Sequence, residues 1–235
     1  MNDHRVIGIL GGMGPEATAD LFLKVIKATK VQKDQDHFRV VIDSNPKIPD
    51  RTNAILHRGE SPIAAMVETG RNLEKMGVDI VLIPCNTAHY FIKEVQSELS
   101  IPILNALEES YKYIKKTYPQ IKKVGLLATT GTIETRLYEK YFYDMEMIYP
   151  NEITQRERVM KAIYEENGIK AGNTGKEIVD LLKSAANELI EKGAQLIIAG
   201  CTEVPLALKE SHISKPLLDP MDIAAKIVTQ NKNQE

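Results

Sequence analysis

Short apolar runs rich in β-branched residues alternate along this chain with longer segments whose apolar positions recur every three or four residues. The first kind reads as buried strand and the second as amphipathic helix. Strands are expected near 5–10, 38–43, 78–84, 101–104, 122–128, 145–149, 194–200 and 215–218. Helices are expected near 15–32, 61–76, 86–98, 106–117, 131–143, 151–166, 174–192 and 220–231. Pro15, Pro62 and Pro220 fall in the first turns of three of these helices, where a missing N–H costs little. Strand and helix in regular alternation predict an α/β fold with parallel sheets.

The pattern occurs twice. Gly77 through Cys85 matches Gly193 through Cys201, and the two cysteines are 116 residues apart. Val6–Leu10 matches Lys123–Leu127, and Ile101–Asn105 matches Lys215–Asp219, at nearly the same spacing. A near-constant offset over three separate segments predicts two pseudo-symmetric, open parallel-sheet lobes. Residues 1–104 plus 219–235 are assigned to the first lobe and 105–218 to the second, the last helix returning to the first. Open α/β sheets bind ligands beyond the carboxyl ends of their strands. That edge carries Gly11–Gly14, Asp43–Arg51, Cys85–Thr87, Thr129–Thr132 and Cys201–Glu203. If the lobes face each other, one ligand could touch all five.

Cys85 and Cys201 carry the sharpest chemistry. A lone cysteine is more often a small buried hydrophobe than a catalyst. Here the chain's two cysteines both sit where a strand hands over to an expected helix start, whose N–H groups and dipole would favour thiolate. Two such thiols facing each other suit proton transfer between opposite faces of one carbon. A disulfide is the alternative. Metal binding is weaker, since Cys85 and His89 lack a second ligand pair. Asn86-Thr87 and Thr202-Glu203 read equally well as helix caps or as carboxylate binders. Arg51 lies in a proline-stiffened loop suited to aiming a guanidinium at a carboxylate, and Lys170 lies between two helical segments. His89 reads as a helix-surface or cleft-wall residue, with tuning of Cys85 as the alternative. Gly12-Met13-Gly14-Pro15-Glu16-Ala17 fits G-x-G-x-x-A after a strand, the spelling of a dinucleotide turn, but the matching turn in the second lobe lacks it.

Composition narrows the classes. The hydrophobic fraction is 43% and the charged fraction 26%, as in globular proteins. A net charge of −2 gives no reason to expect nucleic acid or an anionic membrane as partner. No apolar run reaches membrane-spanning length, and no signal peptide is evident. Two cysteines form no disulfide framework, which suits a reducing cytoplasm.

Gly11–Thr18, Ile48–Thr52, Pro84–His89 and Gly200–Glu203 together resemble the aspartate/glutamate racemases, the cofactor-independent amino-acid racemases, over nearly the whole chain. The resemblance implies two pseudo-symmetric lobes with the active site between them and Cys85 and Cys201 as catalytic thiols. It implies that Met13, Asn86, Thr87, Thr130 and Thr202 line the site, and Glu203 is placed with them. Arg51 and Lys170 match the places that hold a side-chain carboxylate in aspartate-type members, so interconversion of L- and D-aspartate is expected. Glutamate or a broader substrate range is the alternative. The expected partner is a small amino acid, with neither metal nor other cofactor, and the resemblance implies a homodimer. A nicotinamide-dependent oxidoreductase and a non-catalytic amino-acid-binding protein are the rivals from other classes.

Overall fold

The computed structural model describes residues 5–230, so the expected stretches at 1–4 and 231–235 lie outside the described residues. The chain forms two compact units, one of Met1–Ala106 with Met221–Glu235 and the other of Leu107–Pro220. The first passage contributes β1 (Val6–Gly11), α1 (Pro15–Ala28), β2 (Arg39–Ser44), α2 (Arg51–Ile55), α3 (Ile63–Lys75), β3 (Ile80–Leu82) and α4 (Ile92–Ser97). The second unit opens with α5 (Ala106–Thr117), β4 (Lys123–Leu127), α6 (Thr130–Glu134), β5 (Glu146–Ile148), α7 (Glu152–Thr154) and α8 (Lys161–Tyr164). It closes with α9 (Lys176–Glu191), β6 (Leu196–Ala199), α10 (Val204–Ala207) and β7 (Leu217–Leu218), after which α11 (Pro220–Thr229) rejoins the first unit.

Both sheets are parallel. The first runs β2-β1-β3 and the second β5-β4-β6-β7, so β1 and β4 hold the same place. The strand expected at 101–104 is reduced to one parallel bridge, Val81 to Ile103. Pro102 has no N–H with which to extend the ladder.

Alternation along β1 sends Ile7 and Ile9 to one face, where Leu21 and Val25 of α1 and Ala224, Ala225 and Val228 of α11 cover them. Leu10 faces the other way, with Met66 and Leu73 of α3 and Val95 of α4. In the second unit Leu127, Ile197 and Ala199 pack with Leu182, Ala185 and Leu189 of α9. Two glycines leave room for side chains packed on the central strands. A Cβ on Gly8 would lie 2.6 Å from Val78 Cγ1, and one on Gly125 would lie 3.0 Å from Leu189 Cβ. Each lobe thus keeps a bare backbone at the same place on its central strand, against Val78 in the first and Leu189 of α9 in the second.

Three expected helices are broken or tightened. The 86–98 segment begins as a 3₁₀ turn over Thr87–Phe91 before α4. The 131–143 segment stops after α6, with Arg136 in the left-handed region at φ 49° and a single turn at Tyr138–Lys140. The 151–166 segment contains a π-helical turn, Gln155–Met160, between α7 and α8. Among the described residues no helix is long and apolar enough to cross a membrane.

Candidate active site

Parallel pairing brings the carboxyl ends of β1, β2 and β3 to one edge of the first unit. The turn after β1 is closely packed. Gly12 has φ 94°, and a Cβ there would lie 2.2 Å from the Asn45 backbone. Its N–H donates to Thr18 Oγ1 at 2.8 Å, and that hydroxyl donates to the Gly14 carbonyl. Gly12 of the G-x-G-x-x-A spelling therefore serves close packing, and its N–H is engaged by a side chain rather than presented to a pyrophosphate.

Met13 is buried in the core beside this turn. Arg51 was expected in a loop, but Asp50 caps a helix there, accepting from the Asn53 N–H at 2.8 Å, and Arg51 opens α2. Arg51 is 8% exposed. Its Nη1 donates to the Ile48 and Pro49 carbonyls, and its Nη2 donates to the Met13 carbonyl at 3.4 Å. The guanidinium thereby joins the turn after β1 to the segment after β2.

Cys85, Asn86 and Thr87 follow β3 and are buried. His89, expected on a helix surface or cleft wall, is instead only 1% exposed. Its Nδ1 lies 2.9 Å from the Cys85 carbonyl, and its Nε2 accepts from the Ala106 N–H at 3.2 Å. The neutral ring with a proton on Nδ1 satisfies both contacts. Burial lowers its pKa to about 4, against the hydrogen bonds to the Cys85 and Asn86 backbone. His89 thus fixes the backbone of Cys85.

In the second unit the ends of β4 and β6 are neighbours, and Gly200 packs on Ala128 and the Leu127 carbonyl. Cys201, Thr202 and Glu203 are each buried. The Cys201 thiol donates to Glu203 Oε2 at 2.8 Å, and the Thr202 hydroxyl donates to the same oxygen at 3.2 Å. Lys170 Nζ donates to Glu203 Oε1 at 2.6 Å and lies 5.3 Å from the centre of the Tyr164 ring. Thiol, carboxylate and ammonium thus form one line.

Burial pushes the Cys201 thiol well above its ordinary pKa, and the Glu203 charge adds to this more than Lys170 offsets. The helix-start argument, which expected an easily formed thiolate, fails at Cys201 for that reason. The helix that follows, α10, is a single short turn with little dipole to offer. Burial also opposes the charges on Glu203 and Lys170, but each outweighs it for the other: Glu203 is held below its ordinary pKa and Lys170 above.

Thr130 opens α6, and its N–H donates to Met160 Sδ at 3.4 Å. Gln155 Nε2 donates to the Ala128 carbonyl at 2.9 Å and to Thr130 Oγ1 at 3.4 Å. Gln155 and Met160 were not singled out from the sequence. The available signal was a glutamine four residues before Val159, on the inward face of a periodic segment. Among the described residues, no group of three or more His, Cys, Asp or Glu is placed to hold a metal ion.

Solved structures share this architecture. Aspartate racemase from Picrophilus torridus superposes with a TM-score of 0.81 at 28% identity, covering 96% of this chain and 94% of that one. An aspartate racemase homologue from Pyrococcus horikoshii shares the fold with a TM-score of 0.73 at 23% identity, covering 96% and 97%. The broad specificity amino-acid racemase RacX of Bacillus subtilis is 31% identical over 228 residues, 94% of this chain and 95% of its own. The model of the Asp/Glu/Hydantoin racemase family matches residues 10–228. With that match over nearly its whole length, and a cysteine at the same strand end of each of two like sheets, the chain belongs to the Asp/Glu/Hydantoin racemase family.

Proposed function

We propose that the protein racemises a free amino acid without a cofactor, Cys85 and Cys201 exchanging a proton with opposite faces of Cα. The observation that carries this reading is the Cys201–Glu203–Lys170 line, which holds one thiol protonated at rest. A two-base site needs one thiolate and one thiol, because two thiolates close together repel. With Cys201 supplying the proton, Cys85 is the base in that half of the cycle. Its thiolate takes the Cα proton, and the electron pair left behind spreads into the substrate carboxylate. Cys201 then delivers its own proton to the other face, leaving its thiolate beside the Glu203–Lys170 ion pair. The reverse reaction exchanges the roles. Donors around Asn86, Thr87, Thr130 and Thr202 would meet the developing carboxylate charge.

Aspartate is the substrate this reading puts first, on Arg51 and Lys170 as holders of a side-chain carboxylate. A broader range is the second reading, favoured by a specific observation. Lys170 is already neutralised by Glu203, and Arg51, though charged, directs guanidinium donors to main-chain carbonyls. The relative named for broad specificity points the same way. The test is α-proton exchange in D₂O, followed by NMR without added cofactor, on L-aspartate, L-glutamate and L-alanine. Exchange with D-isomer formation is expected, lost in both Cys85→Ala and Cys201→Ala. Near-normal turnover by either variant would sink the two-thiol reading.

A further inference from the structure

The π-helical turn of the second unit holds a side chain that neither the racemase reading nor the fold accounts for. Gln155 is 8% exposed, at the first position of that turn. Its amide nitrogen is fixed by the Ala128 carbonyl and the Thr130 hydroxyl, the residues that leave β4. Its amide oxygen is buried and, among the described residues, accepts no hydrogen bond. Buried acceptors are nearly always partnered, so one left over, with its donor end already tied, calls for a donor that arrives in function.

The backbone is adapted to hold it there. Met160, five residues on, reaches the Thr130 N–H from the same turn. In an α-helix, residues five apart point well away from each other; a π turn, which closes i to i+5, stacks them. The widened turn therefore brings both side chains to the loop containing Thr130, at the strand edge where β6 delivers Cys201.

We propose that Gln155 is a substrate-positioning residue whose Oε1 accepts a hydrogen bond from the α-ammonium of the amino acid, an inference that rests on the racemase reading. An amide oxygen can only accept, and the ammonium is the donor that every free amino acid carries next to Cα. An acceptor there also favours keeping that nitrogen protonated, and a neighbouring positive charge eases removal of the Cα proton.

The test compares wild type with Gln155→Leu and Gln155→Met, using the amino acid that exchanges fastest and its analogue lacking the amino group (succinate for aspartate, propionate for alanine). Losing a hydrogen bond to a charged group should raise KM for the amino acid about tenfold or more. The inhibition constant of the des-amino analogue should stay within about threefold, since it makes no such bond. Unchanged KM, or equal losses for substrate and analogue, would overturn the proposal and leave Gln155 as a structural tether. If neither variant shows cooperative melting, wild type decides: the amino acid must bind about tenfold tighter than its des-amino analogue, and equal binding overturns the proposal. Absence of exchange by wild type on every amino acid would strike the racemase reading itself, which separates that failure from failure of Gln155 alone.

Discussion

His89 bridges two backbone groups from the interior, and only its neutral ring serves both. Its pKa in the folded protein is about 4, against an ordinary 6.5, so the unfolded chain takes up the proton first as pH falls. Its contribution is fully present above pH 6.5 and is lost on descending toward 4, a loss of up to about 3 kcal/mol. Urea midpoints should drop between pH 7 and pH 4.5, and His89→Gln should flatten that part of the profile; an equally steep profile in the variant would exclude His89 as its origin. Glu203 makes a second prediction at this scale. In a Cys85→Ala background, Glu203→Gln should move the inflection of Cys201 alkylation to lower pH, because the neighbouring negative charge is gone while an acceptor remains. An unmoved inflection would mean that burial alone sets the thiol. The cysteines were readable because each ends an apolar run. The partners of Cys201 were harder to assign: Lys170 lies 33 positions from Glu203, and no local pattern says which carboxylate a lysine meets.

The two strand glycines, Gly8 and Gly125, show what an element demands of its sequence. Gly8→Ala and Gly125→Ala each force packed side chains apart and should cost about 1–3 kcal/mol by overpacking, read from thermal melts. Gly77→Ala is the control: its φ is 74° with nothing near the added methyl, so it should cost only about 1 kcal/mol for the left-handed backbone. Equal effects at all three positions would contradict the packing account. Strand positions were legible because a buried parallel strand is a short apolar run bounded by polar turns. Helix continuity was not. The π turn at Gln155 goes with contacts to the distant Ala128–Thr130 segment, and periodicity carries no record of those. The short helix α2 was read as loop because its flanking prolines hid the cap at Asp50.

At the scale of the molecule, the 116-residue spacing between cysteines reflects one strand order used twice. The first unit draws part of its core from beyond the second: Met221, Ala224, Ala225 and Val228 close the face over Ile7 and Ile9. A charge there has no partner in that apolar cluster, so Ala224→Asp should destabilise the first unit strongly. Hydrogen exchange read by mass spectrometry should show protection lost in β1, α1 and α11 before β4, β6 and α9. Uniform loss across the chain would show that the two units open together.

The same route of the chain fixes an order of events during synthesis. The ribosome releases β1, β2 and β3 early, but the helix that seals one side of their sheet emerges only after the whole of Leu107–Pro220. The second unit is contiguous and can close as soon as it is out, whereas the first must wait with Ile7 and Ile9 covered by α1 alone. The nascent chain therefore carries a part-covered apolar sheet face for as long as Leu107–Pro220 is being made, and β1 reaches its final packing only after a unit that follows it in the chain.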